Sequence, residues 1–141
     1  MRIKLGMWAG LIAILVTLSA CASSGKSDEG LRSRIFHYAA AIRWNEIEQA
    51  VKYIDPAVLA EQPFTAADAG RWREIQVARY VEGPQSVDAQ GRVEQTVQIE
   101  LIDRATQRVR SIVDRQRWRY DESAQIWWLE TGLPDLTQKS R

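Results

Sequence analysis

Proton transfer is the chemistry for which this chain carries suggestive side chains. It has a single histidine, His37, and a carboxylate, Asp114, set inside a run of strand-forming residues. A carboxylate between Val113 and Arg115 has three fates: it meets solvent, pairs with an arginine, or stays buried as an acid with a raised pKa. Arg110, Arg115, Arg117 and Arg119 surround it in sequence, so a cross-strand ion pair is the expected outcome. His37 falls beside the apolar stripe of a helix rather than on it, which reads as a boundary or surface histidine. Metal chemistry lacks ligands, since one histidine and one cysteine leave only carboxylates, without the Asp-rich loop of a calcium site. There is no Gly-rich phosphate loop and no nucleophile elbow, so no cofactor is implied.

The lone cysteine, Cys21, has a different setting. Residues 1–20 begin with Arg2 and Lys4, continue through an uncharged apolar run from Leu5 to Leu18 and end in Ser19-Ala20, the pattern of a secretory signal. The run is shorter than the roughly twenty apolar residues that a membrane-crossing helix needs. With one cysteine there is no internal disulfide to form. Leu18-Ser19-Ala20-Cys21 resembles the lipobox of bacterial lipoproteins, which implies cleavage between Ala20 and Cys21 and acylation of Cys21 with palmitate-class chains. Each buried methylene contributes about 0.8 kcal/mol, so two or three chains on one residue hold a protein on a bilayer durably. Ala22, rather than an aspartate, follows the cysteine; in that family this implies the outer membrane, with the folded part facing the periplasm.

Removing residues 1–20 takes Arg2 and Lys4 from the 19 basic residues, leaving 17 against 18 acidic ones. Charges alternate in sign without forming a basic face, which sets nucleic acid aside as a partner. Residues 21–29, rich in serine with Gly25 and Lys26, read as a flexible linker, and residues 30–134 have the size of one domain with a single core. Residues 135–141 read as a polar tail.

Within the domain, Leu31, Ile35, Tyr38 and Ile42 have helical spacing and predict a helix over 30–43. Asn45 with Glu48 predicts the capped start of a second helix, 46–53, that buries Ile47, Val51 and Ile54. Asp55-Pro56 stops it and starts a short third helix, and Thr65 with Asp68 caps one more turn before Gly70. From Trp72 the period changes to two, with Ile75, Val77 and Val81 on one side and Ala78 and Tyr80 on the other. A first strand ends at Gly83-Pro84, and Asp88 to Gly91 supply turn formers. Val93, Val97, Ile99 and Leu101 alternate with Glu94, Thr96, Gln98 and Glu100 in a second strand. A third runs over 108–120 with a bulge expected near its middle, and Ile126 to Glu130 makes a fourth. The expected class is α+β: N-terminal helices packed on a bent four-stranded antiparallel sheet, preceded by the signal peptide and leash.

The stretch YAAAIRWNEIEQAVKYIDP, Tyr38 to Pro56, resembles the opening of nuclear transport factor 2-like domains, the cone-shaped superfamily that includes ketosteroid isomerase and scytalone dehydratase. That resemblance implies a cone able to hold a small apolar ligand and an outer sheet face that pairs with a second subunit. Its enzymes draw an acid and a base from Asp, His and Tyr; here the candidates are His37, Asp114, Asp103, Tyr38, Tyr53, Tyr80 and Tyr120, and no motif assigns any of them a role.

Five of the six tryptophans lie beyond residue 20. Trp44, Trp72, Trp118, Trp127 and Trp128, with Tyr80, read as core or rim packing or as the lining of a pocket or partner patch. Trp127 and Trp128 must point to opposite sides of their strand, so one of them needs cover from a subunit, an arginine stem or a ligand. The leading expectation is a non-enzymatic lipoprotein that binds an envelope protein or a small apolar ligand. The alternatives are an isomerase or dehydratase using Asp114 or His37, and an accessory subunit docking by its sheet edge to an envelope assembly machine.

Overall fold

The computed structural model describes the backbone of residues 21–138 and the side chains of residues 27–138. The expected leader (1–20), the Cys21 thiol and the last three residues lie outside the described residues. Leu31, Ile35, Tyr38 and Ile42, four apolar residues at helical spacing, are all buried. They line one side of α1 (Cys21–Arg43). The helix begins earlier than its apolar stripe suggests, because its first turns find tertiary support: the Ser27 carbonyl accepts a 2.7 Å hydrogen bond from the Trp127 indole. The boundary expected at residue 30 therefore moves toward Cys21.

Asn45 ends α1 instead of starting the next helix. It takes a left-handed φ of 61°, a conformation that asparagine tolerates at helix C-termini, and the Glu46 amide reaches back to the Ala41 carbonyl. Its side chain is then committed elsewhere, donating to the Trp72 carbonyl at 2.9 Å. The expected Asn45–Glu48 cap is absent, and α2 (Ile47–Ala50) starts at Glu46 without a side-chain cap. It runs into a 3₁₀ turn, Val51–Tyr53. Asp55 caps α3 (Pro56–Glu61) through the Ala57 amide, with proline in the first turn. Thr65 and Asp68 form the reciprocal cap of α4 (Ala66–Arg73). That helix passes through Gly70, so Trp72 is a buried helical residue rather than the start of a strand.

Four strands follow: β1 (Ile75–Val87), β2 (Val93–Asp103), β3 (Val109–Asp121) and β4 (Ile126–Leu129). They form one antiparallel sheet in sequence order. The class is α+β, as expected. Gly83-Pro84 does not end β1 but sits in one of two register breaks, the first between Val77 and Arg79 and the second between Glu82 and Gln85. The first break moves Tyr80 to the buried side and leaves Val81 exposed, reversing the alternation read from sequence. Bulges bend the strand that carries them. The β2–β3 register, by contrast, runs without a break from Val93↔Trp118 to Ile102↔Val109, so the bulge expected in β3 is absent.

The sheet edges are occupied in two places. Ile54 bridges Leu129, and the Asp55 amide bonds the Leu129 carbonyl, alongside β4. Beyond β4, the Gln138 side chain takes both the amide and the carbonyl of Val113 (3.1 and 3.0 Å), and Arg110 holds the carbonyls of Leu136 and Gln138. The segment expected as a free polar tail is thus docked as far as residue 138. Leu136 packs against the core.

An added Cβ at Gly83 would lie 2.7 Å from the Thr96 carbonyl oxygen, whereas one at Gly70 meets nothing within 4 Å. Gly83→Ala is expected to cost about 1–3 kcal/mol through this overpacking. Gly70→Ala, inside a helix, should gain about 0.5–1 kcal/mol. Urea unfolding of the two variants checks both signs, with the midpoint moving at unchanged slope.

Candidate functional site

The continuous register of β3 decides where its polar residues go. Even-numbered positions Ile112, Asp114, Gln116 and Trp118 face the helices and are buried, and odd-numbered positions Val113 and Arg115 face out. The expected ion pair of Asp114 is therefore not made, and among the described residues no arginine pairs with it. Arg117 and Arg119 lie on the opposite face, where Glu130 accepts from Arg117 at 3.0 Å and Asp55 from Arg119 at 2.5 Å. Arg110 shares the parity of Asp114 but sits at the strand end and is occupied by the C-terminal segment.

Asp114 instead belongs to a buried polar cluster joined by one amide. The Gln116 Nε2 donates to Asp114 Oδ2 at 2.8 Å and to the Tyr80 hydroxyl at 2.9 Å, while its Oε1 accepts from the Trp118 indole at 3.3 Å. Both donors and the acceptor of that amide are used. Burial pushes the Asp114 carboxyl up to about 6, against a smaller downward pull from the Gln116 hydrogen bond. Tyr38, fully buried on α1, has a hydroxyl without a hydrogen-bond partner. Its pKa is raised well above normal by burial first and by the charges of Asp114 and Tyr80 next. Tyr80 is raised as well, chiefly by burial.

His37 does not join this group. It is exposed on α1, where its Nδ1 lies 2.7 Å from the Ser33 carbonyl. Asp103 is spent on the β2–β3 turn, accepting from the amide and hydroxyl of Thr106. Tyr53 and Tyr120 are partly buried packing residues. Among the described residues no cluster of three or more metal-ligating side chains occurs.

The tryptophans divide rather than converge. Trp118 and Trp127 are core residues, and Tyr38 meets Trp118 edge-to-face with centroids 5.6 Å apart. Trp128, on the other side of β4, is covered by an arginine stem: the Arg34 guanidinium lies 5.0 Å from its ring and 4.7 Å from that of Tyr53. Two Arg34 nitrogens are buried there without hydrogen bonds, so ring faces stand in for acceptors. Trp44 is exposed. Trp72 lines a cavity.

That cavity is a cleft of about 420 Å³ between α3, the α3–α4 loop, α4 and the segment 132–137. Val58, Leu59, Phe64, Leu133 and Leu136 give it apolar walls, and Trp72 lies at its base. Asp68 and Arg71 stand on the rim, paired with each other. Apart from Trp72, and Asp68 read only as a helix cap, none of these positions stood out in the sequence: Leu133 closes the expected domain and Leu136 lies in the stretch read as a polar tail. Their three-residue spacing was the available signal.

The protein-family models, the curated proteins and the solved structures compared with this chain contain no match to it.

The raised Asp114 pKa fixes a sign. Its carboxyl is protonated more readily in the fold than in the unfolded chain, so its stabilising share is full below about pH 4 and is lost as pH rises through about 6. Asp114→Asn should abolish that loss and be the more stable form at pH 7, by about 2–3 kcal/mol. Urea unfolding of both proteins from pH 4 to 7 checks it, with the difference between them isolating this carboxyl from the surface aspartates. A difference that is flat with pH would contradict the assignment.

Proposed function

We propose that this chain is a membrane-anchored, non-enzymatic binding module, held on the outer membrane through acylated Cys21 and facing the periplasm. Its cleft takes a small apolar ligand or a short apolar segment of an envelope protein. The observation that carries the reading is the cleft between α3, α4 and residues 132–137, with apolar walls, an Asp68–Arg71 pair on its rim and a third charge, Asp135, engaged by the amide and hydroxyl of Thr137. A site of that kind rewards apolar surface on its walls and has polar groups, Gln62 and Thr137 among them, to orient what it holds. Ser19-Ala20-Cys21 supports the anchor, and among the described residues no helix is long and apolar enough to cross a membrane. Similarity to nuclear transport factor 2-like domains supports a small-ligand role, and Val81 and Val113, exposed on the outer sheet face, offer a surface for a second copy.

A second reading, a proton-transferring isomerase or dehydratase, draws on one observation: a buried Asp114 with a pKa near 6, beside a Tyr38 hydroxyl without a partner. Asp114 would be the base and Tyr38 the donor to a developing oxyanion. Both are sealed in the core, so this reading requires the helices to open. The accessory-subunit reading has less to use, because the edges at β4 and at Val113 are already occupied and β1 is the edge left to it.

Native mass spectrometry of the full chain, extracted from envelopes in mild detergent, tests the binding reading. The expected result is an added mass that Leu59→Asp or Leu136→Asp reduces at least about tenfold, since a charge in an apolar wall costs several kcal/mol unless paired. The same added mass on both variants and the parent would count against the cleft.

A further inference from the structure

We propose that α1 lies against the bilayer surface on its outward stripe, with Phe36 and Trp44 in the lipid interface. This rests on the reading of Cys21 as the acylated residue and adds to it an orientation for the whole domain. The inward stripe of α1 is consumed by the core. The outward stripe is Asp28 and Glu29, Arg32 and Ser33, Phe36 and His37, each pair about one turn above the last, then Arg43 and Trp44 about two turns further on. Phe36 is 64 % exposed and Trp44 is 77 % exposed, the most exposed large apolar residue among those described. Neither lines the cleft.

The occupant is argued from the helix itself. α1 runs unbroken from Cys21 to Arg43, and the Trp44 amide continues its hydrogen-bond pattern to the Ala40 carbonyl. At about 1.5 Å per residue, Trp44 stands about 35 Å along the axis from the acylated residue. A helix tied to the bilayer at its first residue sweeps its own outer face past the lipid surface, at an effective concentration far above that of a free chain. Modest interfacial affinity then suffices. Tryptophan and phenylalanine on a surface helix are the side chains that interface retains.

Charge narrows the lipid chemistry. Asp28 and Glu29 balance Arg32 and Arg43 along the stripe, and Arg43 is partly engaged, 3.5 Å from Glu82 and stacked over the Tyr80 ring. An anionic headgroup is therefore not what the stripe selects. It fits a zwitterionic surface, and the contact should change little with salt.

The experiment uses full-length protein expressed with its leader, purified, checked by mass for acylated Cys21, and reconstituted into phosphatidylcholine vesicles. Some vesicles carry lipid brominated near the ester end of the acyl chain, others near the methyl end. The Trp44 signal is the emission difference between the parent and Trp44→Phe, a substitution at a solvent-facing site. The expected result is a blue-shifted difference spectrum that shallow bromines quench at least about twofold, deep bromines less, and added salt does not restore. Acylated protein whose difference spectrum stays unquenched overturns the orientation while leaving the anchor intact. A blue shift present before lipid is added, and insensitive to bromine, overturns it in favour of contact between copies of the chain. Absence of acyl mass on Cys21 overturns anchor and orientation together.

Discussion

A single amide, that of Gln116, ties the interior together. Placing a carboxylic acid, a phenol and an indole nitrogen in a core of this size costs free energy unless their polar atoms are joined. Gln116 does the joining from one strand position, reaching Asp114 and Trp118 on its own strand and Tyr80 on β1. Register follows from this. If β3 slipped by one residue, Arg115, Arg117 and Arg119 would enter the core while Trp118 and Ile112 left it, an exchange no apolar gain could offset. The same parity puts the arginines where Glu130 and Asp55 can meet them.

With β3 fixed, the periphery has to close around it. Arg119 draws Asp55 against the sheet; burial pushes that carboxyl up, but hydrogen bonds from Arg119 and the Ala57 amide outweigh it and hold it below its usual range. The same aspartate caps α3, so one side chain sets the entry to the helix and fixes it to the sheet. On the other stretch of β3, beyond the short β4, the Gln138 amide completes the hydrogen bonding that a fifth strand would have supplied. That keeps an open edge from templating further strands.

The sequence was most legible where one physical signal acted alone. Val93 to Leu101 alternates cleanly because β2 has one wet face and one dry one, and Thr65–Asp68 caps its helix because that pair interacts only locally. It misled where a local signal competed with a distant one. Asn45 had the chemistry of a helix start, but stopping α1 and bonding the Trp72 carbonyl claimed it first. Ala78 gave no sign that a bulge would turn Tyr80 inward. Asp114 was read through the arginines beside it in sequence, yet neighbours along a strand point to opposite faces, and the residue that meets it is Gln116, two positions on. The cleft was hardest to see, because its walls come from α3, α4 and residues 132–137, and none of these segments is apolar enough to announce a wall by itself.

The molecule keeps the outward stripe of α1 and the cleft apart. Phe36 and Trp44 belong to the outward stripe of α1, the element continuous with Cys21, while the cleft residues belong to α3, α4 and the C-terminal segment. The two sets share no side chain, and the Asp114–Gln116–Tyr80 cluster lies in the closed core between sheet and helices rather than in either. On the proposed functions of the two sets, a substitution in one is expected to change lipid contact or ligand affinity with little effect on the other. One link between them is local, since Asn45, next to Trp44, donates to the carbonyl of Trp72 at the base of the cleft; a second route runs through the core by way of Tyr38. That residue is on α1, packs edge-to-face on Trp118, and carries the hydroxyl that Asp114 influences. Coupling by this second route would depend on the protonation of Asp114, because that is the group on it whose charge changes near neutral pH.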